Sequence, residues 1–212
     1  MAVTLHGHAG RGRATAAVFL DKDGTLVKDV PYNVDPERVE FTPYALEGLR
    51  LLVARGYSLI VVTNQPGLAL ERFDLAALER LRTALAGRMA QGGAPMTAFY
   101  VCPHAPSSSP IKAGCRCRKP APGLLRRAAR EHHLELERSW MVGDILDDVE
   151  AGRRAGCRSV LLDVGNETQW QLTSWRRPTL RATNLLEAAH LILAAYGSAQ
   201  ADDAALGSGA RG

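Results

Sequence analysis

Two aspartates one residue apart, Asp21 and Asp23, follow the apolar run Val18-Phe19-Leu20 and precede Gly24-Thr25. Residues i and i+2 of an extended segment point the same way, so both carboxylates can share one site while Lys22 faces elsewhere. Acids that close repel each other unless a proton or a cation lies between them. Mg²⁺, a hard ion that prefers oxygen ligands, would resolve the conflict, and Gly24 permits the tight turn that leaves the site. An acidic surface turn suits an isolated pair of acids better than it suits the whole string D-K-D-G-T-L behind a buried strand.

A second cluster carries different chemistry. Cys102-Pro103-His104 and Cys115-Arg116-Cys117 form C-x-H-x₁₀-C-x-C. Thiolates and imidazole are the ligands Zn²⁺ prefers, and four of them complete a closed tetrahedral structural site. The stretch between them, APSSSPIKAG, has little apolar content with which to order itself, so a metal clip is the means available. The alternative is a loop of reduced cysteines without metal. Cys157, alone after Gly156, reads as a small core residue.

These groups need a scaffold, and the rest of the chain supplies one. Ala16–Leu20 reads as a first strand, and residues 26–41, with Pro31, Asn33, Asp35 and Pro36, as an irregular flap. Thr42 and Pro43 open a helix with an apolar face of Leu46, Leu49, Leu52 and Val53. Tyr57–Val62 is a strand before the loop Thr63-Asn64-Gln65-Pro66-Gly67, and Asp74 caps a helix striped by Leu75, Leu78, Leu81 and Leu85. Ala98–Val101 is a third strand. After the 102–119 loop, a helix runs from Gly123 to about His133, Trp140–Val142 leads to Gly143-Asp144, Asp147–Ala155 is helical, and Ser159–Leu162 is a fifth strand. A last helix spans Leu185–Ala195. Strands alternating with helices predict an α/β fold, a doubly wound parallel sheet, with its ligands beyond the carboxyl ends of the strands. Residues 1–15 read as a flexible lead-in, 16–196 as one domain and 197–212 as a disordered tail.

Composition narrows the function classes. The 212 residues are 46% hydrophobic and 23% charged, ordinary for a soluble globular protein. No apolar run suits a membrane span, and the first fifteen residues lack a hydrophobic signal core, so the cytoplasm is the expected compartment. The net charge of +4 rests on 22 Arg and 4 Lys scattered among 22 acids. Helix-surface groups such as Glu79/Arg80/Arg82 and Arg130/Glu131 suit a solvated mixed face. Nucleic-acid binding is not expected, and mild basicity suits phosphorylated substrates.

The strings D-K-D-G-T-L, V-V-T-N-Q, R-K-P-A-P-G and G-D-I-L-D-D, in this order, resemble the four motifs of the haloacid dehalogenase (HAD) phosphatase superfamily. The C-x-H…C-x-C loop before R-K-P narrows the resemblance to relatives of the heptose bisphosphate and histidinol phosphatases, over about residues 16–195. The resemblance implies a Rossmann-like HAD fold without a large cap, leaving the 26–41 flap and the zinc loop to cover the site. It implies Asp21 as nucleophile and Asp23 as general acid and base. Mg²⁺ would be held by Asp21, the carbonyl of Asp23, and Asp144. Thr63, Asn64 and Lys119 would stabilise the phosphoryl oxygens, and Asp29, Tyr32, Gln65 and Arg118 would contact substrate. Asp148 fits G-D-x-x-x-D as support behind the metal, although Asp147 and Asp148 could both be plain helix N-terminal acids. Zn²⁺ would be held by Cys102, His104, Cys115 and Cys117.

The implied activity is Mg²⁺-dependent hydrolysis of a small phosphorylated sugar by a monomer. Histidinol phosphate, a polynucleotide 3′-phosphate and a non-catalytic zinc-stabilised module are the competing readings. One position departs from the pattern: Ile145 stands where the heptose phosphatases often carry Lys, which bears on the sugar handled.

Overall fold

Ala17–Leu20 (β1) is buried along its whole length because its side chains alternate between two apolar layers. Val18 and Leu20 pack in a layer with Leu49 and Leu52, whereas Ala17 and Phe19 share the opposite layer with Leu124, Leu125 and Ala128. A strand covered on both faces reads as a continuous apolar run, the signature of a parallel sheet. The computed structural model describes residues 16–106 and 115–195. The lead-in, the tail and the middle of the 102–119 loop expected from the sequence lie outside these residues.

After β1 come α1 (Ala45–Ala54), β2 (Ser58–Asn64), α2 (Leu75–Gln91), β3 (Met96–Cys102) and α3 (Gly123–His132). They are followed by β4 (Trp140–Gly143), α4 (Leu146–Ala155), β5 (Arg158–Leu162), β6 (Leu180–Ala182) and a helix over 185–195, α5. The six strands form one parallel sheet in the order β3-β2-β1-β4-β5-β6. Chain order therefore reverses between β1 and β4, and the crevice beyond the strand ends at such a reversal is where α/β sheets bind ligands. Leu20 is level with Val142, and the Asp21 amide donates to the Val142 carbonyl at 3.0 Å, so the segments leaving the two strands emerge side by side.

Several local expectations are corrected. Thr42 does not cap α1: its hydroxyl donates to the Thr25 carbonyl at 2.7 Å, tying the end of the flap to the first turn of the site. The helix starts at Ala45, and Tyr44 at its N-cap has a left-handed backbone and no side-chain cap bond. Leu75 is 59% exposed, since it sits in the first turn of α2 beyond the layer that buries Leu78, Leu81 and Leu85. Asp74 does cap that helix, accepting from the Ala77 amide at 2.7 Å. Strand β6 was not expected, because three residues carry no legible period. Glu131 pairs with Arg127, one helical turn away, rather than with Arg130. The flap holds a single 3₁₀ turn, Pro36–Arg38, and is otherwise irregular.

Candidate active site

The ends of β1, β2 and β4 deliver the site. Asp21 and Asp144 leave adjacent strands, and Asp148 lies in the first turn of α4, fully buried. Carboxylate oxygens of these three acids lie within 4.8 Å of one another. The Lys119 ammonium reaches Asp21 Oδ1 and Asp148 Oδ1, both at 2.6 Å, and donates to the Val62 carbonyl at 3.0 Å. Three clustered carboxylates thus lie around one ammonium, which contacts two of them, and the surplus negative charge suits a divalent cation.

Burial sets the electrostatics. It pushes Asp144 up to about 6, with help from the Asp21 charge and against hydrogen bonds from Thr25 and Asn166. Asp148 rises to about 8 for the same reason, opposed by Lys119 and reinforced by Asp21 and Asp144. Burial alone would lower Lys119, but Asp148 and Asp21 outweigh it and hold the ammonium charged.

Two glycines make room for this packing. A Cβ on Gly24, whose φ is +80°, would meet Asp144 Oδ2 at 2.3 Å, and one on Gly143 would meet the Asp148 carboxyl carbon at 2.3 Å.

Asp23 occupies a different part of the crevice. Lys22 folds back so that its ammonium pairs with Asp23 Oδ1, correcting the expectation that it faces elsewhere. Gln65 Nε2 donates to Asp23 Oδ2 at 2.9 Å and to Thr63 Oγ1 at 3.1 Å. Burial raises the Asp23 carboxyl while the Lys22 charge opposes it. Asn64 Oδ1 accepts from the Lys119 amide at 3.0 Å, and its Nδ2 donates to the Lys119 carbonyl at 3.2 Å. Its side chain therefore clamps the backbone of Lys119. Thr63 is buried at the end of β2.

Cys102, His104, Cys115 and Cys117 converge as the sequence predicts. Their sulfur–sulfur separations are 3.3–3.5 Å, and His104 Nδ1 lies 3.2 Å from Cys117 Sγ and 3.6 Å from Cys102 Sγ. These approach the edges of about 3.8 Å in a tetrahedron with ~2.3 Å zinc–sulfur arms. The Arg118 amide donates to Cys115 Sγ at 3.3 Å, which joins the cluster directly to the residue before Lys119.

The remaining expected residues are more peripheral. Arg118 is half-buried and donates to the His104 carbonyl at 3.3 Å. Asp29 is exposed on the flap and lines a cavity of about 400 Å³ that also touches Thr25 and Asn166. Tyr32 is about half exposed, with the Arg72 guanidinium over its ring at 5.9 Å. Asp147 faces outward from the acid cluster and pairs with Arg176 at 2.6 Å.

Comparison with known proteins agrees with this geometry. A family model described as "HAD-hyrolase-like" matches residues 116–188, the span holding Lys119, Asp144 and Asp148. The D-glycero-beta-D-manno-heptose-1,7-bisphosphate 7-phosphatase of Salmonella typhi is 34% identical over 173 residues, 76% of this chain and 92% of that enzyme. The chain belongs to the heptose bisphosphate phosphatase family of HAD hydrolases. The Escherichia coli K12 member is 33% identical over the same length, covering 76% of this chain and 91% of its own. A crystal structure of the D,D-heptose 1,7-bisphosphate phosphatase from B. bronchiseptica, complexed with magnesium and phosphate, aligns with a TM-score of 0.70 at 30% identity. That alignment covers 84% of this chain and 98% of the other.

Two contacts of this heptose bisphosphate phosphatase relative escaped the sequence. Thr25 Oγ1 donates to Asp144 Oδ1 at 2.7 Å, and Asn166 Nδ2 donates to Asp144 Oδ2 at 2.9 Å. Thr25 lies inside a recognised string and could have been singled out. Asn166 lies in a polar stretch after β5, where nothing in the sequence marks it.

Proposed function

We propose that the protein is a Mg²⁺-dependent phosphatase that removes the C7 phosphate of D-glycero-D-manno-heptose 1,7-bisphosphate. The observation that carries the reading is the Lys119 ammonium held between Asp21 and Asp148 with Asp144 alongside. Asp21 attacks phosphorus, forming an aspartyl-phosphate as the bond to the sugar oxygen breaks, and one hard step becomes two. Asp23 hands its proton to that leaving oxygen, then takes a proton from the water that hydrolyses the intermediate. The upward push of burial on Asp23 favours the protonated start this needs, and Gln65 keeps the carboxyl oriented. Lys119 and Thr63 stabilise charge on the phosphoryl oxygens, with Asn64 fixing the Lys119 backbone.

The buried oxygens of Asp21 and Asp144, with the Asp23 carbonyl, suit Mg²⁺, which when bound screens charge between nucleophile and phosphate. Asp148 holds Lys119. Arg118, with a rigid fork matched to phosphate or sugar oxygens, and Asp29 and Tyr32 on the flap favour the sugar bisphosphate. The names of the relatives support the same substrate.

The test is phosphate release from heptose 1,7-bisphosphate and from histidinol phosphate, each with Mg²⁺ or EDTA. The expected result is a kcat/KM at least about tenfold higher for the bisphosphate, lost in EDTA; the reverse preference would overturn the substrate.

The four-residue Cys/His cluster holds Zn²⁺ in this reading. Its three thiols are then coordinated, and burial pushes the Cys157 thiol up to about 12, so the native protein should show almost no reactive thiol to DTNB at pH 8. Stripping the zinc should release three thiols per chain. Turnover should fall by about 10², the effect of misplacing a catalytic group by about 1 Å, because the Arg118 amide is bonded to Cys115. Fast thiol reaction before chelation would contradict the assignment.

A further inference from the structure

Asp144 is 5% exposed, and both of its oxygens are already engaged on the protein side. Thr25 Oγ1 belongs to the turn that follows β1, but Asn166 comes from a separate stretch, residues 163–179 between β5 and β6. This stretch forms neither helix nor strand. Connections of that length without regular structure are uncommon in compact domains unless they serve a function.

The stretch is fastened to α4 at three places. Asn166 Nδ2 reaches Asp144 just ahead of the helix, and Glu167 Oε2 accepts from the Leu146 amide in its first turn at 2.6 Å. Further along, Arg176 reaches Asp147 Oδ1 and Glu150 Oε2, both at 2.6 Å. The first fastening is also closely packed. A Cβ on Gly24 would meet Asp144 Oδ2 at 2.3 Å and Asn166 Nδ2 at 2.6 Å, so the backbone of the first motif lies directly against this pair.

We propose that Asn166 is a positioning residue for the metal site: its amide fixes the rotation of the Asp144 carboxylate and so raises the affinity for Mg²⁺. The inference rests on the reading of Asp21 and Asp144 as Mg²⁺ ligands. A neutral donor suits this task. It fills one lone pair of the carboxylate without bringing a positive charge that would repel the cation, and it leaves the other lone pairs for the ion. Groups that orient metal-binding carboxylates are typically worth about 10–100-fold in metal affinity.

Asn166 is itself exposed, so its replacement leaves the core intact. Asn166→Leu keeps most of the side-chain volume and deletes the donor. Arg176→Ala is the control, because it frees the far end of the same stretch without touching Asp144. Binding is read without substrate, as the rise in Tm with increasing Mg²⁺, whose dependence on concentration yields Kd. The expected result is a Kd weakened about tenfold or more in Asn166→Leu and within twofold of wild type in Arg176→Ala. The Tm without metal should be nearly unchanged in Asn166→Leu, and turnover should be restored by raising Mg²⁺.

A Kd in Asn166→Leu within twofold of wild type would overturn the role of Asn166. Equal weakening in both variants would do so too, since a general loosening of the stretch would then suffice. A wild-type protein whose Tm does not respond to Mg²⁺ would overturn the metal site itself, a separate failure from either of these.

Discussion

Asp21→Asn should abolish phosphate release, by roughly 10⁴-fold or more, the scale seen when a catalytic nucleophile is removed. The amide keeps the shape of the carboxylate but has neither the charge nor the lone-pair basicity to attack phosphorus. The fold should survive, because Lys119 keeps Asp148 and the Val62 carbonyl as partners. Rapid-quench sampling of the wild type should trap one acid-stable, hydroxylamine-sensitive phosphate per chain, and the variant should trap none. A variant that turns over within tenfold of wild type would place the attacking group elsewhere.

Lys119→Met should cost both rate and stability. The rate loss expected from removing one preorganised charge is about 10²–10³. The stability loss is that of breaking a buried ion pair from one side, about 3–5 kcal/mol, since Asp148 and Asp21 remain buried without their cation. Its pH dependence has a definite sign. Asp148 is already raised above its ordinary value of 3.8 in the folded protein, chiefly by burial, and losing Lys119 raises it further. The folded variant then holds a proton that the unfolded chain releases above about pH 4, so its stability falls as pH rises through that window. Because the wild type also keeps that proton until about pH 8, the gap between the two should open above that value, and urea unfolding at pH 6 and pH 9 should give the wider gap at pH 9. A gap that narrows instead would mean that Asp148 ionises freely without the lysine.

Much of the site was legible because a parallel sheet forces it. Apolar runs such as Val18–Leu20 and Trp140–Val142 mark strands, and once these lie in parallel their carboxyl ends must gather whatever follows: Asp21, Thr63 and Asp144. The Cys/His spacing pointed to the convergence of Cys102, His104, Cys115 and Cys117 for a similarly local reason. What stayed hidden depends on side chains folding back. The resemblance implies a phosphate contact for Asn64; that its amide clamps the Lys119 backbone, 55 residues away, has no local signal. Lys22 turns toward Asp23 rather than away from it, because burial leaves its ammonium no better partner than the adjacent carboxylate. Thr42 has the composition of a helix cap, but a carbonyl of the first turn lies within its reach. The G-D-x-x-x-D spacing favours Asp148 over Asp147 but leaves both open as helix N-terminal acids; the contact of Asp148 with Lys119 separates them.

The Cys/His cluster has an architectural consequence. Cys102 is the last residue of edge strand β3, and Cys117 stands two residues before Lys119, yet their sulfurs are 3.3 Å apart. The chain ends at His104 and Cys115 are thus held close together, and lengthening a connection between two fixed ends costs little, about 0.6 kcal/mol per doubling. Connections of different length grafted between those ends should therefore leave the lysine where it stands, since the cluster and the Arg118 amide hold the returning end.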